Sequence, residues 1–416
     1  MKTITINDLS RLNKQSKIIA NENGIVKLEN NSSYLLEDYF SFTNKLIMPN
    51  YNNSILAIDA SISNYYGYDS KYNSFVELDD ILSNKDYKHI AIMLLDGMGS
   101  YIIKNNLSED SFIRQNKLCD YNAVFPPTTA CAIPALCSGK EPLITGWVGW
   151  SNYFKEINKF VVMFRNQDYF TGENLNINVE KDIISYKKFY EDLPTYVFEL
   201  GPSFTPSNCQ TFEEMCQRYV EETKKHDKSF CYMYWSEPDT SLHINGAYSK
   251  EAKDVMNHMD NTLAKMSEEI SSDTLVIITA DHGHIDVKPI YLANFRDFLS
   301  LLERVPSNEG RCAFFKVKRG KKRHFIKLFN TYFGSYFVLL TKKEFIEEGY
   351  LGESVKEENY KVSDFIGDFV AIAKSNYYFN FNINCYNEEQ DEMIFKSHHA
   401  GITANEMIIP LVLMKK

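Results

Sequence analysis

Apolar and polar positions fall along this chain in blocks that read as the alternating strands and helices of an α/β fold. Leu275-Val276-Ile277-Ile278-Thr279-Ala280 is an unbroken run of apolar and β-branched residues, the pattern of a strand buried on both faces of a parallel sheet, and it stops at Asp281-His282-Gly283-His284. His89-Ile90-Ala91-Ile92-Met93-Leu94-Leu95 has the same character and stops at Asp96-Gly97. Residues 230–235 form a third run, followed by Asp239 and His243, and residues 407–413 a fourth, preceded by His398-His399-Ala400-Gly401.

Helical spacing separates these strands. Residues 52–62 repeat apolar positions at helical intervals, and another short helix begins near Asp79. Residues 249–272 carry Val255, Met259, Leu263, Met266 and Ile270 as one stripe, which is core packing rather than a cofactor contact. In Phe125-Pro126-Pro127-Thr128-Thr129 two prolines bring the chain in extended; a helix of small residues then runs to Gly139. Pro134 inside it predicts a kink or a shifted start, because it lacks an N–H and crowds the preceding turn. Residues 311–326 read as two strands around Gly320 with basic edges that discourage edge pairing or guide an anion, and residues 365–373 as one more strand.

Each of these four apolar runs thus adjoins residues able to do chemistry, three at its end and the last at its start. In open α/β sheets ligands gather beyond the carboxyl ends of the strands, so Asp96 and Asp281-His282 stand where a metal or substrate would sit. Asp239 and His243, four apart, share one face of a helix turn and are placed to hold one ion. Thr128 and Thr129 are either helix caps or hydroxyls facing a phosphate at a helix N-terminus. Five of the nine histidines, 243, 282, 284, 398 and 399, fall in these turns.

Composition narrows the classes. With 416 residues, 44% hydrophobic and 24% charged, the chain is ordinary for a globular protein and long enough for one large core with an elaboration or for two domains. A net charge of −10 argues against general nucleic-acid binding and leaves a small anionic substrate open. Residues 1–8 show no secretory leader, and no apolar run is long enough to span a bilayer. The eight cysteines form no CxxC pair or compact framework, so they are expected to be reduced, mostly buried thiols of a cytoplasmic protein.

The order of these segments resembles the nucleotide pyrophosphatase/phosphodiesterase family of the alkaline phosphatase superfamily, from about His89 to the C-terminus. The resemblance implies an alkaline phosphatase-like fold, a central, mostly parallel sheet flanked by helices; residues 1–288 and 386–416 are read as this core, and 289–385, where the motifs fall silent, as an inserted α/β cap. It implies two zinc ions, with manganese or iron tolerable for such donors. One would be held by Asp96, Asp281, His282 and the Thr129 hydroxyl, the other by Asp239, His243 and His399. Thr129 is preferred to Thr128 by its distance from Gly139, and His399 to His398 because a small residue and Gly follow it. Thr129 would be the nucleophile, giving a phosphothreonine, and Asn152 either the amide on a phosphoryl oxygen or a turn residue. The sulfatase branch is disfavoured, because Cys131-Ala132-Ile133-Pro134-Ala135 has neither the spacing nor the Arg it requires. His284 is read as an outer support to the metals or a solvated turn residue, and Trp147, Trp150, Tyr153 and Phe154 as base-stacking or core aromatics. The expected activity is hydrolysis of phosphodiester or pyrophosphate bonds of nucleotides. The rivals are a phosphonate or phosphomonoester hydrolase on the same metals and a nucleotide-binding regulator without turnover.

Overall fold

The computed structural model describes residues 46–391 and 393–416, together with the backbone of three short strands, Ile18–Ala20, Ile25–Leu28 and Ser33–Leu35, that pair antiparallel with one another. The absence of a leader, read from residues 1–8, lies outside the described residues. The architecture is α/β, with a six-stranded mixed sheet flanked by helices and smaller accessory sheets. In chain order the main strands are β1 (His89–Leu95), β2 (Lys117–Asn122), β3 (Tyr196–Leu200), β4 (Ser229–Trp235), β5 (Thr274–Thr279) and β6 (Ile408–Lys415). Their order across the sheet is β2-β6-β5-β1-β4-β3. β5, β1, β4 and β3 run parallel, and β6 is inserted antiparallel between β5 and β2.

Burial explains the unbroken apolar runs. All seven residues of β1 and all six of β5 are buried, and the polar ones, His89, Thr274 and Thr279, stand at the strand ends. Pro410 sits inside β6 even though β6 is not an edge strand. The register against β2 shifts between Leu411 and Val412, and such an irregularity is where a sheet tolerates a residue without an N–H. The flanking helix Lys250–Glu269 buries Met256, Met259, Leu263 and Met266 in the core, and Ser249 caps it by accepting from the Ala252 N–H. Helix Leu56–Tyr65 starts four residues into the helical spacing of 52–62 and runs past it, and the short helix expected from Asp79 starts three residues earlier, as Val76–Ser83.

A second, seven-stranded antiparallel sheet draws on two parts of the chain. Ser151–Phe154, Lys159–Val162 and Gln167–Asp168 join Ser307–Glu309, Cys312–Phe315, Phe337–Thr341 and Phe369–Ala373. Two local expectations are corrected here. The basic segment after Gly320 is not a second hairpin strand but the start of helix Lys322–Tyr332, whose Phe325 and Phe329 pack into an aromatic cluster with Phe298, Phe315, Phe333 and Phe379. Residues 365–373 are not one strand: Val362–Ile366 is helical, Gly367 turns at φ 75°, and only Phe369–Ala373 extends. Phe325, Phe329 and Phe333, four apart, form the helical stripe that decides this segment. No helix of the described residues is long and apolar enough to cross a membrane. All eight cysteines are unpaired and seven are buried.

Candidate metal centre and active site

Parallel pairing in register brings the strand ends to one edge. Trp235 of β4 lies opposite Leu95 of β1, and Thr279 of β5 opposite Leu94. The backbone then crosses between the ends: Asp96 N–H donates to Trp235 O (2.9 Å), Asp239 N–H to Asp96 O (3.0 Å), and Gly97 N–H to the Asp281 carboxylate (3.0 Å). Gly99 and Gly283 meet backbone to backbone here; a Cβ on either would overlap the neighbouring chain, so these turns require glycine. A two-stranded ladder, Ile285–Asp286 against Ser397–His398, docks the late histidine turn onto the Asp281–His284 turn.

Helix Thr129–Ser138 begins at Thr129 with Thr128 as its N-cap and ends at Gly139 in the left-handed conformation (φ 64°). Pro134 lies inside it without shifting that start. Thr129 Oγ1 stands 3.3 Å from both carboxylate oxygens of Asp96 and 3.3 Å from His282 Nε2. One hydroxyl proton cannot serve three such neighbours.

The donors, buried except for the half-buried Asp239 and His243, gather into two groups, Asp96, Asp239 and His282 in one and Asp239, His243, His284 and His399 in the other, with ligand atoms within 4.8 Å of each other in each. Asp281 adjoins the first: its Oδ2 is 3.5 Å from His282 Nε2, is buried, and has no hydrogen-bond partner. Three imidazoles commit Nδ1 to a carbonyl, His243 to Ser397 O (2.8 Å), His282 to Gly283 O (3.2 Å) and His399 to Pro127 O (3.0 Å). A carbonyl only accepts, so each Nδ1 carries the proton and each Nε2 presents a lone pair. Those lone pairs face carboxylates: His243 Nε2 is 3.3 Å and His399 Nε2 3.8 Å from Asp239 Oδ1, and His282 Nε2 is 3.3 Å from Asp96 Oδ1. Acceptors facing acceptors in a buried site call for a cation, and ligating histidines characteristically anchor the other ring nitrogen in this way. The spacing agrees. A tetrahedron around an ion with ligands at about 2.0–2.1 Å has edges of about 3.3–3.4 Å.

Electrostatics point the same way. Burial, with the Asp239 charge beside it, pushes the Asp96 carboxyl well above the ordinary range, and burial with the Asp96 charge raises Asp281 to about 8. Burial also works against the Asp239 charge, but positive charge and protons on the His243 and His284 rings outweigh it and hold that carboxyl well below its ordinary range, while the Asp239 charge outweighs burial to raise His243; this is the positive charge that a metal ion would supply in their place. Burial drives His399 and His398 far down and His284 to about 3, toward the neutral, ligating form. Among the described residues no Lys or Arg pairs with Asp96, Asp239 or Asp281.

Asn152 is in neither group. It is fully buried, donates its amide to Gly149 O (3.2 Å), and leaves Oδ1 without a partner. His398 pairs with Ile285 in the ladder rather than joining the clusters. Trp147 and Phe154 are fully buried and cover the core.

Several contributors were not singled out in the sequence. Tyr234 donates its hydroxyl to Asp96 Oδ2 (2.5 Å); its place near the end of β4, level with Leu94, was the available signal. Glu309, buried and thereby raised to about 7, accepts from the Thr128 hydroxyl and the Trp150 N–H, both at 2.8 Å. Arg311 and Glu406, both fully buried, pair in a bidentate fork at 2.7 and 2.8 Å. Glu406 also accepts from Gly401 N–H and the Thr403 hydroxyl, which fixes the turn carrying His399. These Glu309 and Arg311 contacts span 95 to 181 positions and nothing local announces them, whereas Thr403-x-x-Glu406 is a capping box readable in the sequence.

This fold and these clusters define a metal-dependent hydrolase of the alkaline phosphatase superfamily. The family model described as Type I phosphodiesterase / nucleotide pyrophosphatase matches residues 90–400, and the chain belongs to that family. Among solved structures, human ectonucleotide pyrophosphatase/phosphodiesterase 5 is similar at 14% identity and a TM-score of 0.57, covering 78% of this chain and 87% of that one. Murine ectonucleotide pyrophosphatase/phosphodiesterase 5, as an inactive variant in complex with AMP, is similar at 16% identity and a TM-score of 0.54, covering 79% and 87%. Phosphonoacetate hydrolase from Sinorhizobium meliloti, in complex with phosphonoformate, reaches 14% and 0.57, covering 79% and 91%. At such identities the likeness is one of fold. No curated protein sequence matches the chain.

Proposed function

We propose that this enzyme hydrolyses phosphodiester or pyrophosphate bonds of nucleotides through a phosphothreonine on Thr129. The observation that carries the proposal is the Thr129 hydroxyl at the first position of a helix, 3.3 Å from Asp96 and from His282. Asp96, Asp281, His282 and Thr129 would hold one zinc ion, and Asp239, His243 and His399 the other. When bound, such a pair supplies charge to the entering and leaving oxygens of an in-line displacement and acidifies the attacking hydroxyl. Thr129 then forms the new bond to phosphorus as the ester oxygen departs. The free N–H groups and positive end of the helix favour both the alkoxide and the phosphoryl group. Water cleaves the phosphothreonine and restores the hydroxyl. Asn152 retains one uncommitted amide hydrogen for a phosphoryl oxygen. The unpaired cysteines suit a reducing compartment such as the cytoplasm.

The test compares a nitrophenyl nucleotide diester, nitrophenyl phosphate and phosphonoacetate as substrates of the wild type and Thr129→Ala. The diester should be hydrolysed fastest, and Thr129→Ala should lose at least about 10³-fold in kcat. Preference for phosphonoacetate would favour the phosphonate hydrolase reading. Full activity in Thr129→Ala would overturn the mechanism, and no turnover of any substrate by the metal-loaded wild type would favour a binding role.

A further inference from the structure

The geometry points to His284 as a fourth protein ligand of the ion held by Asp239, His243 and His399, an inference that rests on the metal reading above. His284 is completely buried, and its Nε2 lies 2.7 Å from Asp239 Oδ1. Its tautomer is fixed from the far side. Nδ1 sits 3.0 Å from Ser397 Oγ, and Ser397 Oγ sits 2.7 Å from Leu242 O. Leu242 O is a carbonyl and only accepts, so the single serine proton goes to it; the serine oxygen then accepts, and His284 Nδ1 carries the proton. Were the serine proton turned to Nδ1 instead, two oxygens would face each other at 2.7 Å with no hydrogen between them.

His284 therefore presents an Nε2 lone pair to a carboxylate oxygen, as His243 and His399 do to the same oxygen. Ser397 serves two of the three rings, its carbonyl anchoring His243 and its hydroxyl anchoring His284. One residue thus orients both imidazoles toward Asp239. Asp239, His243, His284 and His399 would thus give that ion four protein donors, their ligand atoms within 4.8 Å of one another. The Asp96 ion has no such extra imidazole.

The test loads the metal-stripped full-length protein with cobalt(II) and follows both the d–d absorption and the affinity, by chelator competition, in wild type, His284→Ala and His284→Gln. Gln keeps a hydrogen-bond donor for Asp239 but offers no imidazole. Wild type should bind two cobalt ions per chain. Both variants should weaken one of them by more than about 100-fold, beyond the 10- to 100-fold typical of outer partners. The absorption should intensify as that ion loses a ligand, and added imidazole should restore the wild-type spectrum in His284→Ala. Affinity in His284→Gln within about tenfold of wild type, with an unchanged spectrum, would overturn the assignment and leave the metal reading standing. A wild type that binds no cobalt would overturn both. Should either variant fail to fold, a crystal structure of the zinc-loaded wild type decides: His284 Nε2 within about 2.3 Å of the ion supports the assignment, and a distance beyond about 3 Å refutes it.

Discussion

Replacing Arg311 by Met should loosen the metal centre without touching a ligand. Arg311 is fully buried; Nε and Nη2 grip the two oxygens of Glu406, and Nη1 donates to Ser375 O (2.8 Å) and Tyr377 O (2.7 Å). Removing one partner of a buried pair leaves the other charge uncompensated, at a cost of about 3–5 kcal/mol. That is a large share of the roughly 5–15 kcal/mol by which proteins are stable, yet it leaves a folded majority. The damage is directional. Glu406 also accepts from Gly401 N–H at 2.6 Å and from the Thr403 hydroxyl at 2.5 Å, and it holds Ala400 in a left-handed conformation (φ 81°) that alanine does not favour. His399 immediately precedes Ala400, so its Nε2 should lose its fixed aim and metal affinity should fall about 10- to 100-fold, as for other outer supports. Urea unfolding in excess chelator, followed through the three tryptophans, isolates the stability term from metal binding. Chelator competition measures the second term. Adding Glu406→Gln removes the stranded charge and should recover at least half of the lost stability while leaving affinity low. A loss below about 1 kcal/mol for Arg311→Met, or unchanged metal affinity, would refute this account of the turn.

Three further outcomes are expected. Chelation should lower the melting temperature of the wild type, and zinc at about 1,000 times its dissociation constant should restore about 4 kcal/mol; an identical melt with and without chelator would count against the metal clusters. Burial raises the Asp59 carboxyl from 3.8 to about 7, so its favourable contribution is complete below pH 4 and is lost as pH rises through 7. Asp59→Asn should therefore gain up to about 4 kcal/mol over wild type at pH 8 and nothing below pH 4, read from urea midpoints across pH; a gain independent of pH would show that burial of the charge is not the cause. Gly283→Ala would drive a methyl into Asn405 O and should cost at least about 1–3 kcal/mol together with metal affinity, whereas a neutral substitution would show that the turns at Gly99 and Gly283 are slack.

The strand ends were legible because one cause writes them: a sheet buried on both faces keeps the middle of each strand apolar, so the carboxylates Asp96 and Asp281 mark the points of exit. Asp239 and His243 were legible through helical spacing joined to their place after a strand and in the order of the motifs. What the sequence hid is long-range. Glu309 meets Thr128 across 181 positions, and Arg311 meets Glu406 across 95, through a sheet whose strands come from both sides of the catalytic segments. His284 was hidden differently. Its neighbours announce a metal site, but only Ser397, 113 residues away, fixes which nitrogen is free.

The charge balance bears on the substrate. Asp96, Asp239 and Asp281 bring three negative charges to the centre, and Thr129 as an alkoxide a fourth; two divalent ions would cancel them, leaving nothing over for the substrate. Among the described residues no Lys or Arg pairs with these carboxylates, and the nearby Arg311 is spent on Glu406. A phosphodiester brings one negative charge into this neutral site and a phosphomonoester two, with Glu309 adding another once it ionises near pH 7. A buried charge without a partner is costly, so the dianion is penalised more, and more again above pH 7. The preference for the nitrophenyl diester over nitrophenyl phosphate should therefore widen as pH rises through 7 and flatten in Glu309→Gln. A preference that narrows over that range would mean that cations reach the substrate from elsewhere in the fold, and would favour the monoesterase reading.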